Sequence, residues 1–468
     1  MRCTVLSLVA VVAAGCSDHA VSELDPQQAR VEVKHLPLRV NRDLDLLFLI
    51  DDSPSMADKQ DNLAANFPRF IEALGAFPGG LPNLHIAVVS SDYGTKGAED
   101  AAPGPAVGLG LGACQGFGQN AKMLLSGVAT NGDSFLSDVQ DPADPTRRLR
   151  NYDQDLASAF SQMAKLGAGG CGFEQHLEAI KQALQPGRPD NAGFLRPDAM
   201  LGVIIIADED DCSMKHAALL GDAPGLGPLL SFRCTRFGVT CDQPIDQLGE
   251  KTGCRSNEDS PYLTKIADYA AFLKQLKPGH EDRIVVAGIM GALDPVQVES
   301  RTIEGGAPNG PRYPQLAHAC AYVDSQGRTE VADPPIRLKD FLDQFPCRSI
   351  YTPLCQANLS SGLQKIGDLL YRVTLAYPCM NGNLADADAG APGIQADCAV
   401  SQQSPGGEAK VLPACDGAVS NLPCWRMETN PLICTLTATH FALKIERTDA
   451  DLDTLPSDTD VIASCVTD

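Results

Sequence analysis

One carboxylate and two hydroxyls stand at alternate positions in Asp51-Asp52-Ser53-Pro54-Ser55, directly after the apolar run 44–50 (LDLLFLI). Asp51, Ser53 and Ser55 offer hard oxygen donors, the kind that suits Mg²⁺, Mn²⁺ or Ca²⁺. The same types also satisfy turns and caps, and Ser55 is placed to cap a helix starting near Met56. A second apolar run, 200–207 (MLGVIIIA), ends on Asp208, which opens the run Asp208-Glu209-Asp210-Asp211. Part of that run reads as solvated face, yet adjacent carboxylates repel one another and a bound cation relieves this. Other candidates are weaker. Asp386-Ala387-Asp388 and Asp449-Ala450-Asp451-Leu452-Asp453 begin like calcium loops but lack the glycine an EF-hand needs at its sixth position, so they read as acidic loops. His176 lies beside Glu174 and Glu178 at the start of a helix and reads as polar surface, and Asp92 reads as a loop residue. Trp425, in Pro423-Cys424-Trp425, is expected against a disulfide. HExxH and GxSxG are absent, and the chain is read as non-enzymatic.

The elements that must position these groups follow from hydrophobic pattern. Runs 44–50, 84–90 (LHIAVVS), 200–207 and 283–289 (RIVVAGI) are short, continuous and rich in strand formers. Between them, Leu63, Phe67, Phe70, Ile71 and Leu74 recur at helical spacing. So do Leu156, Phe160, Met163 and Leu166, then Leu177, Ile180 and Leu184, then Tyr262, Ile266, Tyr269, Leu273 and Leu276, and last Leu363, Ile366, Leu369, Leu370 and Val373. Unbroken apolar strands alternating with amphipathic helices predict an α/β fold: a doubly wound, mostly parallel sheet covered on both faces. Ligands of such sheets bind beyond the carboxyl ends of the strands, where Asp51 and Asp208 fall. Cysteine-containing insertions are expected near 94–147, exposed from Gly94 to about Gly118, and near 212–262. From residue 379 the helical stripes vanish, and 379–468 is expected to be a small cysteine-rich β unit.

Asp-x-Ser-x-Ser after LLFLI resembles the von Willebrand factor A domain family and its metal-ion-dependent adhesion site. The resemblance spans residues 41–378, with insertions. It implies a Rossmann-like sheet, one divalent cation (Mg²⁺ first, Mn²⁺ or Ca²⁺ otherwise) and adhesion or assembly rather than turnover. Asp208, after GVIIIA, matches the family's third-loop Asp. Its second loop supplies a Thr before a helix; here the segment is Gly169-Gly170-Cys171-Gly172-Phe173-Glu174, and Cys171 takes the Thr position. A disulfide-bonded Cys171 does not ligate a hard cation, which leaves Glu174 or water to fill the gap. The expected metal set is therefore Asp51, Ser53, Ser55 and Asp208, with Glu174. A partner protein's acidic side chain would complete it. Haloacid dehalogenase-type hydrolases also place an Asp after an apolar strand and bind Mg²⁺, but they need a second Asp two residues on, where this chain has Ser53. A third alternative is a structural envelope protein with a vestigial site.

Arg2, the apolar run 5–14 and Ala13-Ala14-Gly15-Cys16 resemble a bacterial lipoprotein signal, so residues 1–15 are expected to be removed and Cys16 lipidated. Residues 16–40 are expected as a tether, with the protein held in the cell envelope, at the outer membrane where the host has one. Seventeen cysteines are too many for a reducing compartment. Setting aside Cys3 and Cys16 leaves an odd number, so one stays unpaired within the chain. Cys212, Cys234, Cys241 and Cys254 are expected to form two bridges with three pairings open, and Cys114 with Cys171 a further one. Asp and Glu number 59 against 37 Lys and Arg, a formal charge of −22, which repels phosphate backbones and argues against nucleic acid.

Overall fold

The computed structural model describes residues 30–36, 41–302 and 309–375, apart from Pro78, 109–113 and Ser325, and most of 379–467. The Cys16 signal lies outside the described residues. In chain order, β1 (Arg30–Leu36) precedes β2 (Asp43–Ile50), α1 (Ala57–Gly75), β3 (Asn83–Ser90), β4 (Leu136–Asp141), β5 (Asp144–Arg150), α2 (Leu156–Met163), α3 (His176–Ala183) and β6 (Met200–Ala207). Then come α4 (Phe232–Gly238), β7 (Val239–Thr240), β8 (Gly249–Lys251), β9 (Arg255–Ser256), α5 (Ile266–Gln275), β10 (Ile284–Met290), β11 (Val296–Thr302) and β12 (Arg312–Leu316). The remainder is β13 (Cys320–Val323), β14 (Thr329–Ala332), α6 (Ile336–Asp343), β15 (Ser349–Pro353), α7 (Ser360–Leu375), β16 (Cys398–Gln403), β17 (Lys410–Leu412), β18 (Cys424–Thr429), β19 (Phe441–Glu446) and β20 (Asp460–Thr467).

The chain divides into two compact units, residues 37–377 and residues 1–36 with 378–468. In the larger unit a seven-stranded sheet runs β15-β10-β6-β2-β3-β4-β5. The first five strands are parallel; β4 and β5 extend the sheet antiparallel. Apolar burial explains the parallel part: every residue of β6 is buried, and its β-branched Val203, Ile204, Ile205 and Ile206 suit a strand packed on both faces. One face carries Phe67 and Phe70 of α1, Phe160 of α2 and Leu363 and Leu370 of α7 around Phe48. Phe67 and Phe160 stack at 3.5 Å between centroids. Each such ring contributes about 1.5–3 kcal/mol by burial. The other face carries Leu177 and Ile180 of α3, Tyr269 and Leu273 of α5 and Phe341 of α6.

The expected fold class is corrected by this topology. The protein is mixed α/β rather than a doubly wound parallel sheet: two of the six pairings in the main sheet are antiparallel, and the other thirteen strands of the described residues form five smaller antiparallel sheets. Continuous apolar runs report only strands buried on both faces. The short strands of the cysteine-rich segments bury one face or none, so their sequences carried no such signal. Residues 30–36, expected as tether, are instead a strand, β1, paired antiparallel with β20. The stretch after Gly94, expected as exposed, packs back: Thr95 and Cys114 are fully buried.

Among the described residues seven disulfides are present: 114–171, 212–234, 241–254, 320–355, 379–434, 398–465 and 415–424. Of the described cysteines, Cys347 is free, and it is exposed. The bridges mark an exported protein of an oxidising compartment. No helix among the described residues is long and apolar enough to cross a membrane.

Candidate functional site: a buried acidic centre at the carboxyl ends of β2 and β6

Asp51 leaves β2 with its amide bonded to the Ile206 carbonyl, 3.0 Å, so the ends of β2 and β6 are tied together. Asp51 Oδ1 accepts from the Ser53 amide, 2.8 Å, and the Ser91 hydroxyl, 3.1 Å. The hydroxyls of Ser53 and Ser55 lie 3.1 Å apart. The turn is braced from α1, where the Gln60 amide donates to the carbonyls of Asp51, 2.9 Å, and Gly167, 2.8 Å. Gly170 must approach closely to bond the Asp52 carbonyl, 2.7 Å; a Cβ there would fall 2.2 Å from Asp52 Oδ1. Ser55 caps no helix through its side chain; α1 begins at Ala57 without a side-chain cap.

Asp51, Glu174 and Asp208 are all buried, and each keeps one oxygen (Oδ2, Oε1 and Oδ1) that accepts no hydrogen bond from the protein. Burial is the largest cause of the raised Glu174 and Asp208 pKa values, the latter pushed up to about 7, and the Asp51 charge raises both further. Asp52, bonded by the Ser90 hydroxyl at 2.7 Å, is likewise pushed to about 7 by burial. Asp51, Ser53 and Ser55 share one turn, with Asp208 and Glu174 in the same buried acidic region, but the oxygens of Asp51, Glu174 and Asp208 do not all come within 4.8 Å of one another. Cys171 is bonded to Cys114 and provides no ligand.

Three features were missed or misread. His176 is not polar surface: it is fully buried, with Nε2 3.5 Å from Asp51 Oδ2. Burial lowers its pKa, but Asp51, with Asp211 and Asp210, outweighs that and raises it. The last two acids of the run are met by donors of the protein itself. Asp210 accepts the Arg337 and Leu338 amides at the start of α6, 2.9 and 3.1 Å, and Asp211 pairs with the buried Arg337 guanidinium at 3.0 Å. The third is Lys59, 1 % exposed, whose ammonium lies 3.2 Å from Asp208 Oδ2 and donates to the Ser55 carbonyl at 2.8 Å. Its signal was available: a lysine in the first turn of a helix opposes the helix dipole and calls for nearby acids.

The remaining candidates fall away from the centre. Asp92 accepts the Gly94 amide, a loop role. Asp386 and Asp388 accept amides of their own loop. Asp451 pairs with Arg447, while Asp449, Ala450, Leu452 and Asp453 lie outside the described residues. Trp425 follows the bridged Cys424, and its carbonyl accepts the Cys415 amide at 2.8 Å. Among the described residues, the carboxylates that crowd within 4.8 Å of one another are a different set, Asp58, Asp324 and Glu330.

No protein-family model matches the chain, and neither does any curated protein. Among solved structures it is similar to proximal thread matrix protein 1 of the mussel byssus, at 10% identity over 75% of this chain and 51% of that one, TM-score 0.29. It is also similar to the pilus adhesin RrgA of Streptococcus pneumoniae (12% identity, 93% and 58% covered, TM-score 0.21) and to the human COPII-coat protein Sec24c (10%, 94% and 42%, TM-score 0.29). The chain spans only 42–58% of the length of these structures, and at these scores the likeness assigns no family.

Proposed function

We propose that this exported protein is a membrane-anchored binding module, lipidated at Cys16, whose larger unit holds one divalent cation and grips a partner protein through it. Ser53 and Ser55 would ligate the cation, with Asp51 and Asp208 bound directly or through water and Glu174 beside them. Mg²⁺ suits so few protein ligands because it keeps several waters. The observation that carries the reading is that Glu174 Oε1 and Asp208 Oδ1 are buried carboxylate oxygens with no protein donor, beside an Asp51 whose Oδ2 lies 3.5 Å from His176 Nε2. Such atoms are costly unless a cation or water meets them. The resemblance of Asp51-x-Ser53-x-Ser55 with Asp208 to the von Willebrand factor A metal site agrees with this. With neutral hydroxyl ligands the ion would retain attraction for a carboxylate of the partner, even on a protein of formal charge −22.

Calorimetric titration of the full chain with Mg²⁺, Mn²⁺ and Ca²⁺ tests the site. Binding should vanish in Ser53→Ala/Asp208→Ala while circular dichroism stays native; unchanged binding by that variant would place the ion elsewhere. A pull-down from envelope extract, with and without chelator, tests the partner. One observation favours the vestigial alternative: Lys59 already supplies a positive charge to Asp208. Absence of any binding by the wild type would select that alternative.

A further inference from the structure

We infer that Lys59 is a built-in competitor for the cation: its ammonium and the divalent ion share Asp208, and Asp58 with Glu330 retains the ammonium when the ion binds. The inference rests on the metal reading above and adds a residue that sets the affinity of the same site.

The geometry places one buried Nζ between two groups of oxygens. On the site side are Asp208 Oδ2 at 3.2 Å and the Ser55 carbonyl at 2.8 Å. On the far side are Asp58 Oδ1 at 3.4 Å and Glu330 Oε2 at 3.5 Å. The far side is rich in negative charge, because Asp58, Asp324 and Glu330 bring oxygens within 4.8 Å of one another. Arg328 answers part of it, with Nε 2.7 Å from Asp324 and 3.6 Å from Glu330, and the Tyr322 hydroxyl donates to Asp58. Among the described residues those three carboxylates pair with one guanidinium, that of Arg328, apart from Lys59, so this cluster can hold the whole ammonium charge.

A divalent ion on the Asp208 carboxylate would stand close to Nζ, and two cations in a water-poor site repel strongly. Since Nζ is already within 3.5 Å of Asp58 and Glu330, those two carboxylates keep the ammonium paired when Asp208 is given up to the ion. Without the ion, the ammonium compensates Asp208 once that carboxyl ionises, so it is not left as a buried, unpaired charge. Lys59 therefore stabilises the ion-free protein and raises the ion concentration needed to load it.

The test is calorimetric titration of the full chain with MgCl₂ for wild type, Lys59→Met, Glu330→Gln and the double variant. Lys59→Met should bind Mg²⁺ about tenfold tighter or better, the order expected when a neighbouring unit charge is removed. Glu330→Gln should weaken binding several-fold in the wild-type background but change it less than about twofold with Met at 59, a coupling that general loss of negative charge does not produce. Melting in chelator provides the second readout: Lys59→Met should melt below wild type and gain more from added Mg²⁺. Lys59→Gln serves if the Met variant does not fold. Equal Mg²⁺ affinity of wild type and both Lys59 variants would overturn the role of Lys59 and leave the metal site standing. Equal Glu330→Gln effects in both backgrounds would overturn the retaining role of the far side. No binding by any of the proteins would overturn the metal reading and this inference with it.

Discussion

Raising the pH should destabilise the ion-free protein, and Asp208 should carry one share of the slope. Burial pushes Asp208 and Asp52 up to about 7 and Asp45 and Asp210 up to about 6, against an ordinary value of 3.8. Glu174 and His176 are also raised. A raised folded-state pKa means that the folded chain keeps a proton the unfolded chain has released. The stability this contributes is complete below the unfolded pKa and is lost as pH rises through the folded one. For Asp208 the window runs from about pH 4 to 7, and the group should contribute a slope of about 1.4 kcal/mol per pH unit, or about 4 kcal/mol across it. His85, lowered by burial, acts in the opposite sense. Urea denaturation in chelator between about pH 5 and 8 measures the sum. Asp208→Asn should flatten the slope by about 1.4 kcal/mol per unit between about pH 5 and 6.5. Saturating Mg²⁺ should restore stability at the alkaline end, with affinity rising up to about tenfold per pH unit, because the ion favours the ionised carboxylates. An identical pH slope in wild type and Asp208→Asn would refute the assignment of Asp208 as a group that is buried and reluctant to ionise.

Arg337→Met should cost about 3–5 kcal/mol in the same urea assay, because it leaves Asp211 without its buried counter-charge; a cost below about 1 kcal/mol would show that the Leu177 amide and Ser213 suffice to hold that carboxylate. Cys16→Ala should move the protein from the membrane fraction to the soluble one, and unchanged partition would remove the lipid anchor. Thiol titration of the processed, denatured but unreduced protein should find one reactive thiol, Cys347; several free thiols would contradict the disulfide pattern.

The legible part of this protein was the part with period and continuity. Run 200–207 became β6 over the same residues, and the helical stripe at Leu63, Phe67, Phe70 and Leu74 became the buried face of α1. The Asp51–Ser55 turn and Asp208 were legible because a carboxylate ending an apolar strand is unusual unless something holds it. Of the thirteen strands in the smaller antiparallel sheets, β19 was legible, because Phe441 to Ile445 alternate like a strand, and the β character of the disulfide-stapled segment from residue 379 was expected; most of the others were not, since segments as short as two residues show no period. His176 was misread because local sequence shows its acidic neighbours but not that Asp51, over a hundred positions away, closes over its ring. Lys59 was missed because its partners Asp208 and Glu330 come from distant parts of the chain, and only the parallel register beside β2 brings the first of them near.

Cys171 links the disulfides to the proposed site. Where the family resemblance calls for a hydroxyl ligand, this chain has half of a bridge to Cys114, closing a loop of 57 residues. In the chain-entropy picture such closure contributes about 4 kcal/mol by constraining the unfolded chain. Its local effect is to fix the segment that carries Gly170, Glu174 and His176 against the Asp51 turn: Gly170 bonds the Asp52 carbonyl, and the Gln175 amide bonds the Ser91 carbonyl, 3.0 Å. On the proposed reading, Cys171 supplies no ligand and instead makes the loop that presents Glu174 rigid. On the proposed reading, an ion held by two hydroxyls and partly water-mediated carboxylates, with Lys59 competing for one of them, binds more weakly than one held by a full ligand set. Such an ion keeps more of its charge for a partner, so loading and partner capture should be coupled: the partner's carboxylate supplies what Cys171 does not.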